Sequence, residues 1–184
     1  MVTFLVPIIG YLTLNALCSK GRFAIFKYKY PIRVLPYFFI VTLFTAVAIL
    51  VDLKRVYPAD MNIPFPESLL FYPAIGFLVE IVFHVLPLVL LVFILNLVSG
   101  MTTVQRWIWV AFLVVAILEP TYQVYMDPYP PWALSVVWIN LFLFNVLQLF
   151  VFYRFDFVSM FALRMVYYLI WHIVWGALRL EILF

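Results

Sequence analysis

The chain has 184 residues, 68% of them hydrophobic and 10% charged, with a formal net charge of +3. A soluble domain carries about 25% charged residues, so this composition excludes a water-facing globular fold; the long apolar runs likewise exclude a β-barrel, whose strands alternate over about ten residues. The basic balance, with pI near 9.0 and mean hydropathy +1.18, falls in short loops between apolar segments, which the positive-inside rule explains better than nucleic-acid binding does.

The expected architecture is all-α: a polytopic membrane helix bundle of about six transmembrane helices, forming a single domain over 1–184 in contact with the lipid bilayer. The first span covers 2–17; it lacks a basic leader region and a small-residue cleavage site, so it reads as a retained helix. Cys18 is the single cysteine, which excludes an intramolecular disulfide. A basic loop follows with Lys20, Arg22, Lys27, Lys29 and Arg33. The second span, 36–53, closes on Lys54 and Arg55, and 57–68 reads as an ordered, extended, proline-rich surface loop.

The third span, 69–98, is longer than a bilayer core and requires tilt, protrusion or a kink at Pro73 or Pro87. A tight turn at Ser99 and Gly100 leads into the fourth, 105–125, interrupted by Pro120. The fifth and sixth spans are 132–153 and 158–183. Basic residues in the first loop, Arg106 in the third, and Arg154 and Arg164 around the fifth put loops one, three and five on the cytoplasmic side. The expected location is a bacterial plasma (inner) membrane.

Ionisable groups inside spans are costly and mark sites or paired contacts. Glu80 and His84 stand four residues apart on the third span, hence on one helix face. Glu119 precedes Pro120 on the fourth, where the helix is expected to distort. His172 lies on the sixth within a polar stripe of Arg164, Tyr168, His172, Gly176 and Arg179. Measured from the outer ends, Glu80 is ~16 Å deep, His172 ~17 Å and Glu119 ~9 Å, so three helices can aim them into one cavity. Asn140, Asn145 and Gln148 on the fifth span read as interhelical contacts.

The stretch Val79–Val85, VEIVFHV, resembles the first motif of the CAAX-protease and bacteriocin-processing (CPBP, or Abi) family of glutamic intramembrane proteases, in which two glutamates precede two apolar residues, a Phe and an Arg. His172 and Gly176 resemble its last motif, a His with an Asn four residues on, and Glu119 falls near its middle histidine motif. The resemblance covers about 69–184. Glu80, Phe83 and His172 correspond directly; Val79 stands in place of the first glutamate, His84 of the arginine, Glu119 of a histidine and Gly176 of the asparagine.

The resemblance implies hydrolysis of a peptide or prenylated-peptide substrate within the membrane. Glu80 or Glu119 would act as general base, and His172 would help hold the water and the oxyanion. No cofactor is needed in that scheme. A second reading takes Glu80, His84, Glu119 and His172 as a ligand set for zinc or iron. A third is a catalytically inactive relative serving as an accessory or scaffold subunit of a membrane complex.

Overall fold

The computed structural model describes residues 2–19, 23–27, 31–99, 101–126 and 129–184, with side chains over 8–19, 23–27, 32–97, 107–126 and 129–184. Lys20, Arg22, Lys29 and Gly100 lie outside the described residues, as does the side chain of Arg106. All regular structure among the described residues is helical: α1 (Val2–Cys18), α2 (Pro31–Arg55), a 3-10 turn (Ala59–Met61), α3 (Ser68–Val79), a π-helical turn (Glu80–Val85), α4 (Leu86–Ser99), α5 (Met101–Ala116), α6 (Leu118–Met126), α7 (Pro131–Arg154), α8 (Phe157–Tyr168), a second π turn (Leu169–Trp175) and α9 (Gly176–Leu183).

Among the described residues, five helical stretches are long and apolar enough to cross a membrane: Ile32–Arg55, Ser68–Leu97, Trp107–Met126, Pro131–Arg154 and Phe157–Leu183. The 17 residues of α1 make a shorter sixth helix, ~26 Å by helical rise. The outer surface is hydrocarbon, with Leu70 82%, Ile32 78% and Leu97 76% exposed. Such a surface is stable in lipid, where apolar side chains have no water to avoid.

α2 packs on α7 and α8, α4 on α5, and α3 on α8. α3 and α8 approach so closely at Gly76 that a Cβ there would lie 2.6 Å from Met165 Cε and 3.2 Å from Tyr168 Cε2. Two apolar clusters fill the interior. One gathers Ile81, Val85, Phe112, Leu149 and Met160; the other gathers Val51, Phe144, Leu163, Tyr167 and Trp175. Buried polar residues adjoin members of both clusters along the chain, Glu80 beside Ile81 and His84 beside Val85 in the first and Arg164 beside Leu163 in the second.

The long spans break where the sequence carries its polar residues, though not at every proline. Pro73 sits inside α3 without ending it. The third span instead widens into the π turn ahead of Pro87, with the Leu86 N–H donating to the Ile81 carbonyl five residues back. The fourth breaks between Ala116 and Leu118, which places Glu119 and Pro120 in the first turn of α6. There Pro120 has no N–H to offer the Ala116 carbonyl four residues back.

The proline-rich connection ahead of α3 is not extended throughout: it carries the 3-10 turn Ala59–Met61. Val56 ends α2 in the left-handed region at φ 50°, and its N–H donates to the Asp52 carbonyl. At the opposite end of the bundle, Asp156 caps α8 by accepting from Ser159 N (2.7 Å) and holds the first connection through Lys27 N (2.8 Å).

Candidate functional site

The π turn sets the geometry of the first pair. π turns are inserted into α-helices mostly as single turns, frequently at functional sites. Here one spans Glu80 and His84, both fully buried. His84 Nδ1 stands 3.0 Å from Glu80 Oε2, close enough for an ion pair but off the line of a hydrogen bond. His84 Nε2 faces Glu119 Oε2 at 3.8 Å. Both ring nitrogens are therefore buried without a hydrogen-bond partner.

The residue that organises the cluster is Arg164 of α8, 1% exposed. Its Nε donates to Glu80 Oε1 (2.6 Å), and Nη1 and Nη2 donate to Glu119 Oε1 (2.8 Å) and Oε2 (2.9 Å) as a two-pronged fork. Nη2 also donates to Gln148 Oε1 (2.9 Å), while Gln148 Nε2 donates to Glu80 Oε1. The planar guanidinium suits this task because its donors match two carboxylates at once. Two carboxylates against one guanidinium leave the cluster with one negative charge in excess when the imidazole is neutral. The cluster ties together the third span, α6, α7 and α8.

By its position near the fifth loop Arg164 is expected among the loop charges that set orientation. It is instead a mid-helix counter-ion deep inside the bundle, and only Arg154, exposed at the end of α7, remains near the fifth loop. The signal was present in the stripe Arg164, Tyr168, His172, Gly176 and Arg179. Gln148 makes the interhelical contacts expected of it, to Glu80 and Arg164, and through them belongs to the cluster. Asn140 and Asn145 do bridge helices, donating to the carbonyls of Phe44 (3.1 Å) and Ala116 (3.3 Å).

His172 stands apart from Glu80, His84 and Glu119. Its ring stacks on Tyr72 (centroids 4.5 Å, 18°), meets Tyr168 edge-on at 5.0 Å, and places Nδ1 2.8 Å from Asn62 Oδ1. Tyr168 lies between the two regions, with Arg164 5.8 Å from its ring centroid.

A second buried ion pair closes the far end of the stripe. Arg179 Nε and Nη2 donate to Asp52 Oδ2 (2.7 Å) and Oδ1 (3.0 Å), and its remaining donors reach the Tyr57 and Pro58 carbonyls. Trp175 Nε1 and the Tyr57 N–H also donate to Asp52, at 2.7 and 2.9 Å. Sequence reasoning did not single out Asp52.

The residues proposed as ligands for zinc or iron do not fit a metal. Glu80 Oε1 and both Glu119 oxygens accept from Arg164, a cation already beside the two carboxylates, and His172 is engaged by Asn62. Among the described residues no group of three or more His, Cys, Asp or Glu side chains is placed to hold a metal ion.

Comparison with family models, curated proteins and solved structures found no match to this chain.

Proposed function

We propose that the protein is an intramembrane peptide hydrolase of the kind its Val79–Val85 motif resembles, with His84 as general base and Glu80 as the carboxylate that orients it. The observation that carries this reading is the imidazole: in a cluster whose guanidinium and amide donors are nearly all engaged, His84 Nδ1 lies 3.0 Å from the Glu80 carboxylate while the buried Nε2 has no hydrogen-bond partner. An unsatisfied buried polar group costs about 1–3 kcal/mol, so its retention calls for a role such as holding water. A carboxylate on Nδ1 and a free Nε2 is the orienter and base arrangement of many hydrolases.

In this scheme Nε2 takes a proton from water as the oxygen attacks the scissile carbonyl, then returns it to the departing amine. Arg164 is the group that would stabilise the developing oxyanion once Glu119 gives up its donors. Glu119, 8% exposed on the short α6, is the contact that yields to admit substrate. His172 supports the substrate path from its separate place, with Asn62 standing over Gly176 where the family motif has its asparagine.

A second reading, a catalytically inactive scaffold subunit, is favoured by the number of Arg164 donors already in use. One experiment separates the two. Purified protein in lipid nanodiscs is incubated with unmodified and farnesylated peptide libraries, and products are read by mass spectrometry. The hydrolase reading expects cleavage that falls about 100-fold or more in His84→Gln, with thermal unfolding close to wild type. Equal product from both proteins, or none from wild type, supports the scaffold.

We also propose that loops one, three and five face the cytoplasm of a bacterial inner membrane. Backbone bonds from Phe157 to Ala24 and from Val158 to Ile25 support a shared side for loops one and five. Arg55 stacking on Tyr57 and Tyr129 supports the opposite side for loops two and four.

A further inference from the structure

The loop 62–65, the start of α3, the second π turn and α9 enclose a cleft of about 630 Å³, within the usual range for small-molecule sites. Its walls are hydrocarbon and face outward: Phe65 is 71% exposed, Val174 48% and Leu178 47%. Its polar groups are few and incompletely used. Ser68 is 1% exposed and its Oγ has no hydrogen-bond partner. Asn62 Oδ1 is occupied by His172 Nδ1 (2.8 Å) and by the Tyr72 hydroxyl (3.3 Å), which fixes the amide so that Nδ2 is the free end. Nδ2 is buried and unpartnered. The amide lies so close over Gly176 that a Cβ there would sit 3.0 Å from Nδ2. With Nδ1–H donating to Asn62, His172 keeps Nε2 as an acceptor.

These groups define the ligand by its chemistry. Nδ2 of Asn62 needs an acceptor, which an ammonium head lacks. His172 Nε2 needs a donor, which a carboxylate or ester lacks. The charged side chain in the lining is Glu181, which repels phosphate and carboxylate heads. A hydroxyl both accepts and donates, and the apolar walls open sideways toward lipid.

We propose that this cleft binds an uncharged, hydroxyl-headed membrane lipid. Its head is held by Asn62, Ser68 and His172, and its chain lies along Phe65, Val174 and Leu178. The cleft shares His172 and Asn62 with the substrate path proposed above but no side chain with the cluster of Glu80, His84, Glu119 and Arg164, so lipid binding is measured apart from cleavage.

The test uses the full chain in phosphatidylcholine nanodiscs and a pyrene-labelled diacylglycerol, read by energy transfer from protein tryptophans such as Trp175. The expected result is saturable transfer, displaced by unlabelled dioleoylglycerol, by oleyl alcohol or by both, and not by phosphatidic acid. The competitor that displaces better identifies the lipid class. Ser68→Ala weakens binding about fivefold, one hydrogen bond's worth. Leu178→Trp, which fills the cleft from its lipid side, removes the saturable component while thermal unfolding stays near wild type. Non-saturable transfer, equal displacement by phosphatidic acid, or undiminished binding in both variants overturns the proposal.

Discussion

Replacing Arg164 by Met tests the charge cluster directly. The substitution keeps an unbranched side chain of similar reach but removes the donors at 2.6, 2.8 and 2.9 Å on Glu80 and Glu119, and the one at 2.9 Å on Gln148. Two carboxylates 0% and 8% exposed then lack a full countercharge. Breaking a buried pair by deleting one partner costs about 3–5 kcal/mol. For a chain of this size each kcal/mol shifts the midpoint about 2–4 °C, so unfolding followed by tryptophan fluorescence in detergent should fall by about 6–20 °C. Adding Glu80→Gln and Glu119→Gln to Arg164→Met should recover most of that loss, since a fully neutralised cluster leaves no uncompensated charge. A drop below about 2 °C for Arg164→Met alone would falsify the ionic account of the cluster.

At the end of α2, Val56→Gly should raise the unfolding midpoint by about 1–4 °C. It relieves roughly 1–2 kcal/mol of left-handed strain in a β-branched residue and returns part of that as chain entropy. Destabilisation instead would mean that the Val56 side chain contributes more than its backbone costs. At the other end of the bundle, Asp156→Ala should cost about 1–2 kcal/mol by uncapping α8. Hydrogen exchange should accelerate at Ser159 and Lys27, whose N–H groups lose their acceptor, and not at the π turn over Glu80.

The helical class, the long apolar spans and the Glu80–His84 pair were legible because hydropathy and i,i+4 spacing are local properties. That Glu119 joins them follows from comparable depth. Arg164 was harder to place: a lone arginine near a predicted loop satisfies the positive-inside rule, and its pairing with residues 84 and 45 positions away is visible only in space. His172 shows the converse limit. Depth alone grouped it with the carboxylates, but depth carries no information on rotation about a helix axis, and its ring turns toward Tyr72 and Asn62. Of the two prolines at which the third span was free to bend, Pro73 is accommodated within α3, and the helix instead widens ahead of Pro87. In the fourth span the distortion expected at Glu119 falls two residues earlier, at Ile117. Pro120 has no N–H for the Ala116 carbonyl four residues back, and the Asn145 amide serves that carbonyl instead.

The two π turns also bear on which length changes the chain can absorb. A π turn holds one residue more than the α-helical turn it replaces. Loss of one residue between Leu169 and Trp175 would therefore restore regular α-helix and leave Arg164 and Arg179 facing their carboxylates. The same loss elsewhere between Phe157 and Arg179 would rotate everything beyond it by about 100° and pull Arg179 off Asp52. The same holds for the turn at Glu80–Val85. Related chains one residue shorter in either span should carry their gap in these turns.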